Sequence, residues 1–359
     1  MNTNFDAVKL AVEAATGGKN TILFDDLGNP SIMVRIPKFK ISDVIAGGSQ
    51  NVHPAFIVNG VEKDEIYISK YQNIIVNDRA YSLPMQDPKT YINFDQAKKA
   101  CESKGKGWHL MTNAEWAAIA LWCKKNGYYP RGNNNYGCDI SYPHEKGVKT
   151  YEYEGKTGRV GTGSGPVTWA HDGSDSGIYD LNGNVWEWVG GLRLKDGEIQ
   201  VIADNNAAAG VDMGANSSLW KAIKKDGSLV APGSADTLKF DYTVDPGTAS
   251  ANKGLAKLVT TLSHKQTSES PYSAGAFEDL TADSGITVPE ILKSLAIMPH
   301  GEKDNHGDHL WMRNIGERLS FRGGSFATSS PAGVFALRLV NPRSTSSHEL
   351  GFRSAFVNL

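Results

Sequence analysis

The sequence is poor in cysteine, in net charge and in long apolar runs. Its 359 residues include three cysteines, Cys101, Cys123 and Cys138, too few and too irregularly spaced for a disulfide framework or a cysteine-based zinc site. The 37 Lys and Arg are balanced by 39 Asp and Glu, which excludes the broad basic surface of sequence-independent nucleic-acid binding. No apolar run reaches the roughly 18 residues that a membrane-spanning helix needs. We therefore expect a soluble protein with no secretory signal, no membrane insertion and no nucleic-acid partner.

Glycine is the residue in excess. The 38 glycines are more than a tenth of the chain, against a usual share of about 7%. With 15 prolines and many Asn and Ser residues, they indicate a domain made largely of loops on a modest scaffold. Large aromatic side chains can hold such a core together. Six of the eight tryptophans fall in one part of the sequence: Trp108, Trp116, Trp122, Trp169, Trp186 and Trp188.

Two helices are well marked in the sequence. The first follows the capping-box pattern Asn93-Phe-Asp-Gln and ends before Gly105. The second has Thr112 as its N-cap, Glu115 three residues later to return the hydrogen bond, and Gly127 as its stop. We take them as two core helices of an α+β fold.

The rest of the chain favours strands and loops. A short helix over residues 4–16 precedes β-branched runs over 21–76, which indicate strands separated by turns. Residues 128–178 are Gly, Asn, Tyr and Ser with little periodicity and predict loops. Residues from about 195 to 310 have mixed character, and we interpret them as an insertion or elaboration of the domain.

Four separated motifs occur in one order along the chain. They are Tyr67-Ile-Ser-Lys-Tyr71, Trp108-His-Leu-Met-Thr-Asn-Ala-Glu-Trp116, Asp180-Leu-Asn-Gly-Asn-Val-Trp-Glu-Trp188, and Arg322-Gly-Gly-Ser-Phe326 with Leu350-Gly-Phe-Arg353. Together they resemble the formylglycine-generating enzyme, or sulfatase-modifying factor, branch of the C-type-lectin-like fold. The resemblance implies a loop-rich α+β domain with short antiparallel sheets over residues 61–359. It would carry a long insertion at about 195–310 and a variable region at about 322–353.

The cysteines separate an enzyme from a binding protein. Family members that are enzymes oxidise a substrate cysteine with a pair of cysteines between the Arg-Gly-Gly-Ser and Gly-Phe-Arg motifs. This chain has none there, because Cys138 is its last cysteine. Without a thiolate, the segment has no nucleophile and no soft ligand for copper. We therefore expect no catalytic residue and no enzymatic activity, and a formylglycine-generating-type oxidase is the alternative that this absence disfavours.

The carboxy-terminal segment between these motifs is rich in small and hydroxylated side chains. It resembles the variable region of target proteins of diversity-generating retroelements, a group that includes phage tropism determinants. In that group, mutagenic reverse transcription at adenines varies some side chains while the residues that set the backbone stay constant. The resemblance implies a variable, ligand-binding set of Phe326, Ala327, Thr328, Ser330, Arg338, Val340, Thr345, Ser347 and His348. The constant scaffold would be Arg322, Gly323, Gly324, Trp186, Trp188, Gly351, Phe352 and Arg353. An ordinary polar loop beside a carboxy-terminal strand is the alternative.

This resemblance also implies a function and a location. We expect a non-enzymatic protein whose hypervariable surface on a rigid scaffold binds a protein or glycan of a host cell, as part of a phage tail in the virion. A bacterial surface display or adhesion protein is the alternative, but no signal peptide or lipidation cysteine is evident near the amino terminus. Residues 1–60 are interpreted as an oligomerisation piece, for example of a trimer, as a particle-attachment piece, or as a plain subdomain.

One short segment raises the question of calcium. Trp186 and Trp188 are expected on one face of a strand, with Glu187 on the other. Asn182, Asn184 and Glu187 are candidate calcium ligands, as similar segments are in some family members. The alternative is that Glu187 is a carboxylate satisfied by backbone donors. Calcium prefers six or more oxygen ligands and only these three are visible; no other cofactor is expected.

A histidine-rich run raises the question of zinc. His300, Asp304, His306, Asp308 and His309 cluster just before Trp311. The spacing of the three histidines matches no familiar zinc site. We interpret the run as a solvated loop that leads into the final sheet.

Overall fold

A computed structural model describes residues 3–249, 252–303 and 305–359 of the chain. Within these residues the helices are α1 (Thr3–Ala15), α2 (Ile41–Val44), α3 (Phe94–Glu102), α4 (Asn113–Asn126) and α5 (Glu290–Ser294). The strands are β1 (Asn20–Phe24), β2 (Pro30–Pro37), β3 (Ile57–Val58), β4 (Val61–Glu62), β5 (Glu65–Ser69), β6 (Ile74–Val76), β7 (Arg79–Tyr81), β8 (Trp108–Leu110), β9 (Glu152–Tyr153), β10 (Lys156–Thr157), β11 (Trp186–Lys195), β12 (Glu198–Ile202), β13 (Trp220–Ile223), β14 (Leu229–Val230), β15 (Lys239–Tyr242), β16 (Ala256–Val259), β17 (Ser273–Ala276), β18 (Thr281–Ala282), β19 (His309–Met312), β20 (Glu317–Gly323), β21 (Gly333–Asn341), β22 (Leu350–Phe352) and β23 (Ser354–Phe356).

The two predicted core helices are confirmed as α3 and α4. Asn93 caps α3 with its side chain, and Gln96 returns the bond in a capping box. Thr112 and Glu115 do the same for α4, which ends at Gly127 in the left-handed conformation with φ +68°. The caps were readable in the sequence because each bond joins residues only three apart.

A five-stranded antiparallel sheet brings the two ends of the chain together. Its order is β1-β2-β5-β23-β8, so the last strand of the protein lies between β5 and β8. The register pairs Ala355 with Ile68 on one side and with His109 on the other. The first two motifs of the sequence therefore flank the carboxy terminus directly.

The amino-terminal segment is part of this domain, and the boundary predicted at residue 60 does not separate two folding units. Strand β2 is paired with β1 on one side and with β5 on the other. Val34, Phe56 and Val58 lie in the main hydrophobic core together with Trp116 of α4. Residues 6–15 of α1 are largely exposed, and the ion pair of Glu13 with Arg35 at 2.7 Å attaches this helix to β2.

A twelve-stranded sheet forms the rest of the scaffold. Its main path is β17-β19-β21-β20-β11-β12-β15-β16-β18, with β13, β14 and β22 attached at the side. The predicted short antiparallel sheets are accompanied by this larger one, because seven strands of the region interpreted as an insertion, β12 to β18, belong to it. Phe240, Leu258 and Phe277 from this region are fully buried in the main core. Residues 195–310 are thus integral to the packing.

Tryptophans organise a second core beneath β11. Trp186 and Trp188 lie in one cluster with Phe321 and Trp311, as expected for residues two apart on one face of a strand. The Trp188 and Phe321 rings meet edge to face with centroids 4.2 Å apart. This packing holds the centre of the large sheet against α3, which contributes Phe94.

Candidate ligand-binding surface

A buried ion pair joins the third and fourth motifs. The Arg353 guanidinium donates from Nε and Nη2 to the two carboxylate oxygens of Glu187, both at 2.6 Å. Its remaining N–H groups reach the carbonyls of Ser69 and Tyr179, each at 3.1 Å. Both charged side chains are at most 1% exposed. The pair therefore ties β11 to the end of the chain without contact with solvent.

A second buried arginine holds the Arg-Gly-Gly-Ser turn. Arg322 of β20 donates to Asn113 Oδ1 at 2.7 and 3.0 Å and to the Ala296 carbonyl at 2.9 Å. Two residues on, Gly324 has φ +99°, and a Cβ there would lie 2.5 Å from the Cβ of Ala332. Only glycine fits at that point, so the backbone leading into the candidate variable segment has one conformation.

The main chain of residues 326–330 is held by other loops. Tyr136 donates its backbone N–H to the Phe326 carbonyl at 2.7 Å, and Ser329 donates to the Asn134 carbonyl at 2.8 Å. Both partners come from the region predicted as loops. These bonds use backbone atoms, so they do not depend on the side chains of residues 326–330.

The main chain of residues 342–349 is held in the same way. Tyr91 N–H donates to the Ser347 carbonyl at 2.9 Å, and Trp186 N–H donates to the Glu349 carbonyl at 2.7 Å. At the start of this loop, Arg343 forms an ion pair with Glu317 of β20, Nε to Oε2 at 2.9 Å. The loop is therefore fixed at both ends independently of the side chains between them.

Seven of the nine predicted ligand-binding side chains are exposed or partly exposed. They are Ala327, Thr328, Ser330, Arg338, Thr345, Ser347 and His348. Thr328 also serves the turn, because its Oγ1 accepts the Ser325 N–H at 2.8 Å. The other six lie on the surface above a backbone that the scaffold holds.

Phe326 and Val340 do not lie on this surface. Phe326 is fully buried, and Val340 is 2% exposed in the cluster that contains Trp186 and Trp188. Val340 points to the same side of β21 as the buried Ala336, because residues an even number apart share a face. The expectation that these two side chains contact a ligand directly is wrong.

The structure brings together an aromatic cluster that the sequence pattern did not reveal. We define it as Tyr91, Tyr136, Tyr151, Tyr153, Phe326 and His348. The His348 ring stacks on Tyr153 with centroids 4.7 Å apart and planes 14° apart, and Phe326 lies beneath them at 6.0 and 5.6 Å. The only signal in the sequence was the tyrosine content of the region predicted as loops.

Charged groups border the aromatic cluster. The Arg159 guanidinium lies 3.9 Å from the Tyr151 ring centroid and donates to the His348 carbonyl at 2.9 Å. Lys156 Nζ lies 4.5 Å from the Tyr136 ring centroid. A hydrogen bond to Glu154 raises the pKa of Tyr153. The single phenol O–H is therefore engaged with the Glu154 carboxylate.

A second group of side chains lies on the twelve-stranded sheet. We call it the Arg338 patch and define it as Arg338, Trp186, Trp311 and His309. The Arg338 guanidinium is 5.9 Å from the Trp186 ring centroid, and its Nε donates to Asn341 Oδ1 at 3.1 Å. Trp311 stands edge to face against Trp186 at 5.4 Å, with His309 on its other side. Both tryptophan rings are almost fully buried, so the partly exposed Arg338 and His309 side chains are the parts of this patch that can contact a protein or sugar surface. We refer to the aromatic cluster and the Arg338 patch together as the candidate surface.

The model of the sulfatase-modifying factor enzyme 1-like domain matches residues 11–213, more than half of the chain. The protein belongs to this family. The C-type-lectin-like α+β fold predicted from the motifs is thereby confirmed, and the match begins well before residue 60.

Individual proteins are also similar to this family member. It is 28% identical over 121 residues to the inactive Cα-formylglycine-generating enzyme 2 of Bos taurus, which covers 33% of this chain and 38% of that relative. The chain thus spans little more than a third of the curated relative's length.

Two solved structures also resemble this chain. PvdO from Pseudomonas aeruginosa has a TM-score of 0.35 at 15% identity and covers 94% of this chain and 97% of its own. Treponema denticola variable protein 1 has a TM-score of 0.33 at 13% identity and covers 94% and 98%.

The predicted calcium ligands of this family member are used in bonds to protein groups. Both Glu187 oxygens accept from Arg353, so the carboxylate is satisfied by a guanidinium where backbone donors had been the alternative. Asn184 Oδ1 accepts the Val160 N–H at 2.9 Å. The Asn182 amide likewise bonds protein groups on both sides. Because these oxygens accept from protein donors, the geometry does not fit a calcium site.

The histidine-rich run also fails to form a metal centre within the described residues, where no group of three or more His, Cys, Asp or Glu side chains is placed to hold an ion. Asp304 lies outside those residues. His306 packs on a tyrosine ring, and His309 bonds a nearby carbonyl. The expectation of a solvated loop is wrong at Asp308, which is 4% exposed. Burial raises the pKa of this carboxyl well above its ordinary value.

All three cysteines precede residues 322–353 in the sequence. Cys101 and Cys123 are fully buried, and burial raises the pKa of both thiols. Cys138 is partly exposed, but its pKa is also raised by burial. Such thiols are poor nucleophiles.

Within the described residues, no helix is long and apolar enough to cross a membrane.

Proposed function

We propose that this protein is a non-enzymatic binding protein that recognises its ligand through the candidate surface. One observation carries the proposal. The main chain of the loops 326–330 and 342–349 is held by backbone bonds and buried arginines, while five side chains of these loops, Ala327, Ser330, Thr345, Ser347 and His348, and Arg338 of β21 are at least partly exposed. A surface of this kind tolerates substitution without a change of backbone.

The composition of the candidate surface suits recognition of a macromolecule. Tyrosine supplies large, rigid contact area at low entropic cost, and Ser and Thr adapt their hydrogen bonds. Arg338 adds a positive charge at one end, and His348 adds an imidazole ring at the other. We propose that the ligand is a protein or glycan on the surface of a host cell, and that the variable positions are diversified by a retroelement.

The thiol chemistry supports a binder over an oxidase. A formylglycine-generating reaction needs a reactive thiolate beside the substrate. Residues 322–353 contain no cysteine, and the two buried thiols have raised pKa values. We accordingly assign no catalytic residue, no cofactor and no nucleic-acid or membrane partner in this proposal.

The first experiment tests the candidate surface. The double variant Arg338→Ala, His348→Ala should lose capture of susceptible cells in a pull-down while its melting temperature stays within a few degrees of the wild type, because both side chains project from a held backbone. The matched control Lys225→Ala, His144→Ala changes one cation and one histidine at exposed positions elsewhere and should retain capture. Retained capture in the Arg338, His348 variant would contradict the proposal.

The second experiment tests diversification and location. Genomic sequencing around the gene should find a near-copy of the bases that encode residues 326–349, differing at adenines, beside a reverse transcriptase gene.

We propose that the protein is located in the tail of a phage virion, with a bacterial cell-surface display protein as the second candidate. Mass spectrometry of purified particles and of cell envelopes separates the two, and light scattering of the full chain tests the proposed trimer.

A further inference from the structure

A second concave site lies away from the candidate surface. It is a cavity of about 450 Å³ between the carboxy-terminal end of β2, the carboxy-terminal part of α4 and the loop 171–176. Its lining residues are different from those of the candidate surface, and neither the retroelement proposal nor the ligand of that surface depends on it. A volume of this size is typical of small-molecule sites.

The walls of the cavity are apolar and aromatic. Val34, Phe39 and Ile119 line it together with Trp122 and Tyr128. The rings of Trp122 and Tyr128 are stacked, with planes 7° apart and centroids 6.1 Å apart, and Tyr128 is 47% exposed. An exposed aromatic pair over an apolar floor favours a planar ring as the occupant.

Two donors at the cavity lack acceptors. His171 Nδ1 accepts the Ile178 N–H at 2.8 Å, and burial lowers the pKa of His171 to about 4. The ring is therefore neutral at neutral pH and its proton is on Nε2. Within residues 3–249, 252–303 and 305–359, Nε2 has no hydrogen-bond partner. Arg35 also lines the cavity. Its Nε is buried and has no hydrogen-bond partner among the described residues.

The charges at the rim cancel each other. Lys19 Nζ lies 3.6 Å from Asp172 Oδ2, and Arg35 Nη2 lies 2.7 Å from Glu13 Oε1. The cavity thus offers unsatisfied N–H donors without an excess of positive charge. That combination suits a carbonyl or a single carboxylate and disfavours a polyanion such as a nucleotide.

We propose that this cavity binds a small planar aromatic molecule with one carbonyl or carboxylate acceptor, the ring lying between the Trp122 and Tyr128 side of the cavity and its apolar floor. His171 Nε2–H donates to the acceptor. Arg35 Nε is a buried donor without a partner among the described residues, and an acceptor that reaches it removes the free-energy cost of that unpaired group.

Calorimetry with three indole probes tests the proposal. Indole-3-acetamide and indole-3-acetate carry the acceptor, and 3-methylindole has the same ring without it. The first two should bind the full chain, and 3-methylindole should bind about tenfold more weakly, the equivalent of one hydrogen bond of roughly 1.4 kcal/mol. Equal affinity of all three, or no binding of any up to their solubility, would overturn the proposal.

Matched variants locate the site. Ser176→Phe fills the cavity and should abolish binding of indole-3-acetamide, whereas Ser218→Phe at an exposed serine elsewhere should not. Tyr128→Ala removes one exposed wall and should weaken binding at least fivefold, whereas Leu219→Ala, at 41% exposure, should not. The Tyr128 variant decides the question if Ser176→Phe fails to fold. Equal effects of a cavity variant and its control would show that the probe binds elsewhere.

Discussion

Arg353 and Glu187 carry opposite charges in a place that water does not reach. The Arg353 guanidinium donates to both carboxylate oxygens of Glu187, and each of the two side chains is at most 1% exposed. Buried charges are stable only while they compensate each other, and an isolated one costs several kcal/mol. At the scale of single residues, the strength of the scaffold thus depends on pairs such as this.

Removing one partner should therefore be severe. We expect Arg353→Met to lower the free energy of unfolding by about 3–5 kcal/mol, because Glu187 is left as an uncompensated buried charge. Urea unfolding followed by tryptophan fluorescence measures the change. The double variant Arg353→Met, Glu187→Met should recover part of the loss, and a double variant less stable than the single one would contradict this account.

His53 makes stability depend on pH. Burial lowers its pKa from 6.5 to about 4, so the unfolded chain binds more protons between these values. Stability contributed by neutral His53 is present above pH 6.5 and falls as the pH drops towards 4, by about 3 kcal/mol in all. In His53→Gln this dependence should be missing, so its stability deficit should shrink at low pH. Urea midpoints measured from pH 7 to 4.5 test this, with His144→Gln at an exposed site as the control; parallel curves for His53→Gln and the wild type would contradict it.

At the scale of elements, α4 is tied to its surroundings at its first turn. Thr112 Oγ1 accepts the Glu115 N–H at 3.1 Å and donates to Asn205 Oδ1 at 2.6 Å. The Glu115 carboxylate in turn bonds His109 Nε2 at 2.8 Å. The local cap is thus also part of a buried network between the helix, β8 and the segment after β12.

Loss of this cap should cost more than loss of the α3 cap. Thr112→Ala should lower the free energy of unfolding by about 1–2 kcal/mol, because the buried Asn205 also loses a donor. Asn93→Ala, at the less buried cap of α3, should cost less, and Thr112→Ser should restore most of the stability. Chemical denaturation of the three variants measures the order; equal losses at the two caps would show that the network adds nothing.

At the scale of the whole molecule, the amino and carboxy termini share one sheet. The strand β2 lies between β1 and β5, and β23 lies between β5 and β8. A chain that lacks residues 1–60 loses two of five strands and part of the main core. A chain that lacks residues 1–17 loses only α1.

The two truncations should therefore behave differently. Without residues 1–17, the protein should keep a cooperative thermal transition with a modest fall in melting temperature from the lost contacts of Glu13. Without residues 1–60, it should show no cooperative transition and should aggregate, because the apolar faces of β5 and α4 become exposed. Differential scanning calorimetry separates the outcomes. A cooperative transition in the shorter chain would show that the segment is a separate subdomain after all.

Local signals in the sequence predicted local structure well. The caps of α3 and α4 and the shared face of Trp186 and Trp188 depend on bonds or periodicities a few residues long. The large sheet was not predicted, because β11 pairs with β20 and β22 across more than a hundred residues. Residues 195–310, which their mixed character led us to interpret as an insertion or elaboration of the domain, contribute strands to this sheet.

What the sequence by itself determined is the family, through the order of its motifs, and the lack of a thiol between Arg322 and Arg353, since both are matters of which residues are present. Only the tertiary structure decided which side chains of the carboxy-terminal segment reach solvent. Phe326 and Val340 turn inward and His348 stacks on Tyr153 from a distant hairpin. Burial and aromatic stacking of this kind depend on partners remote in the chain, and no spacing within the segment encodes them.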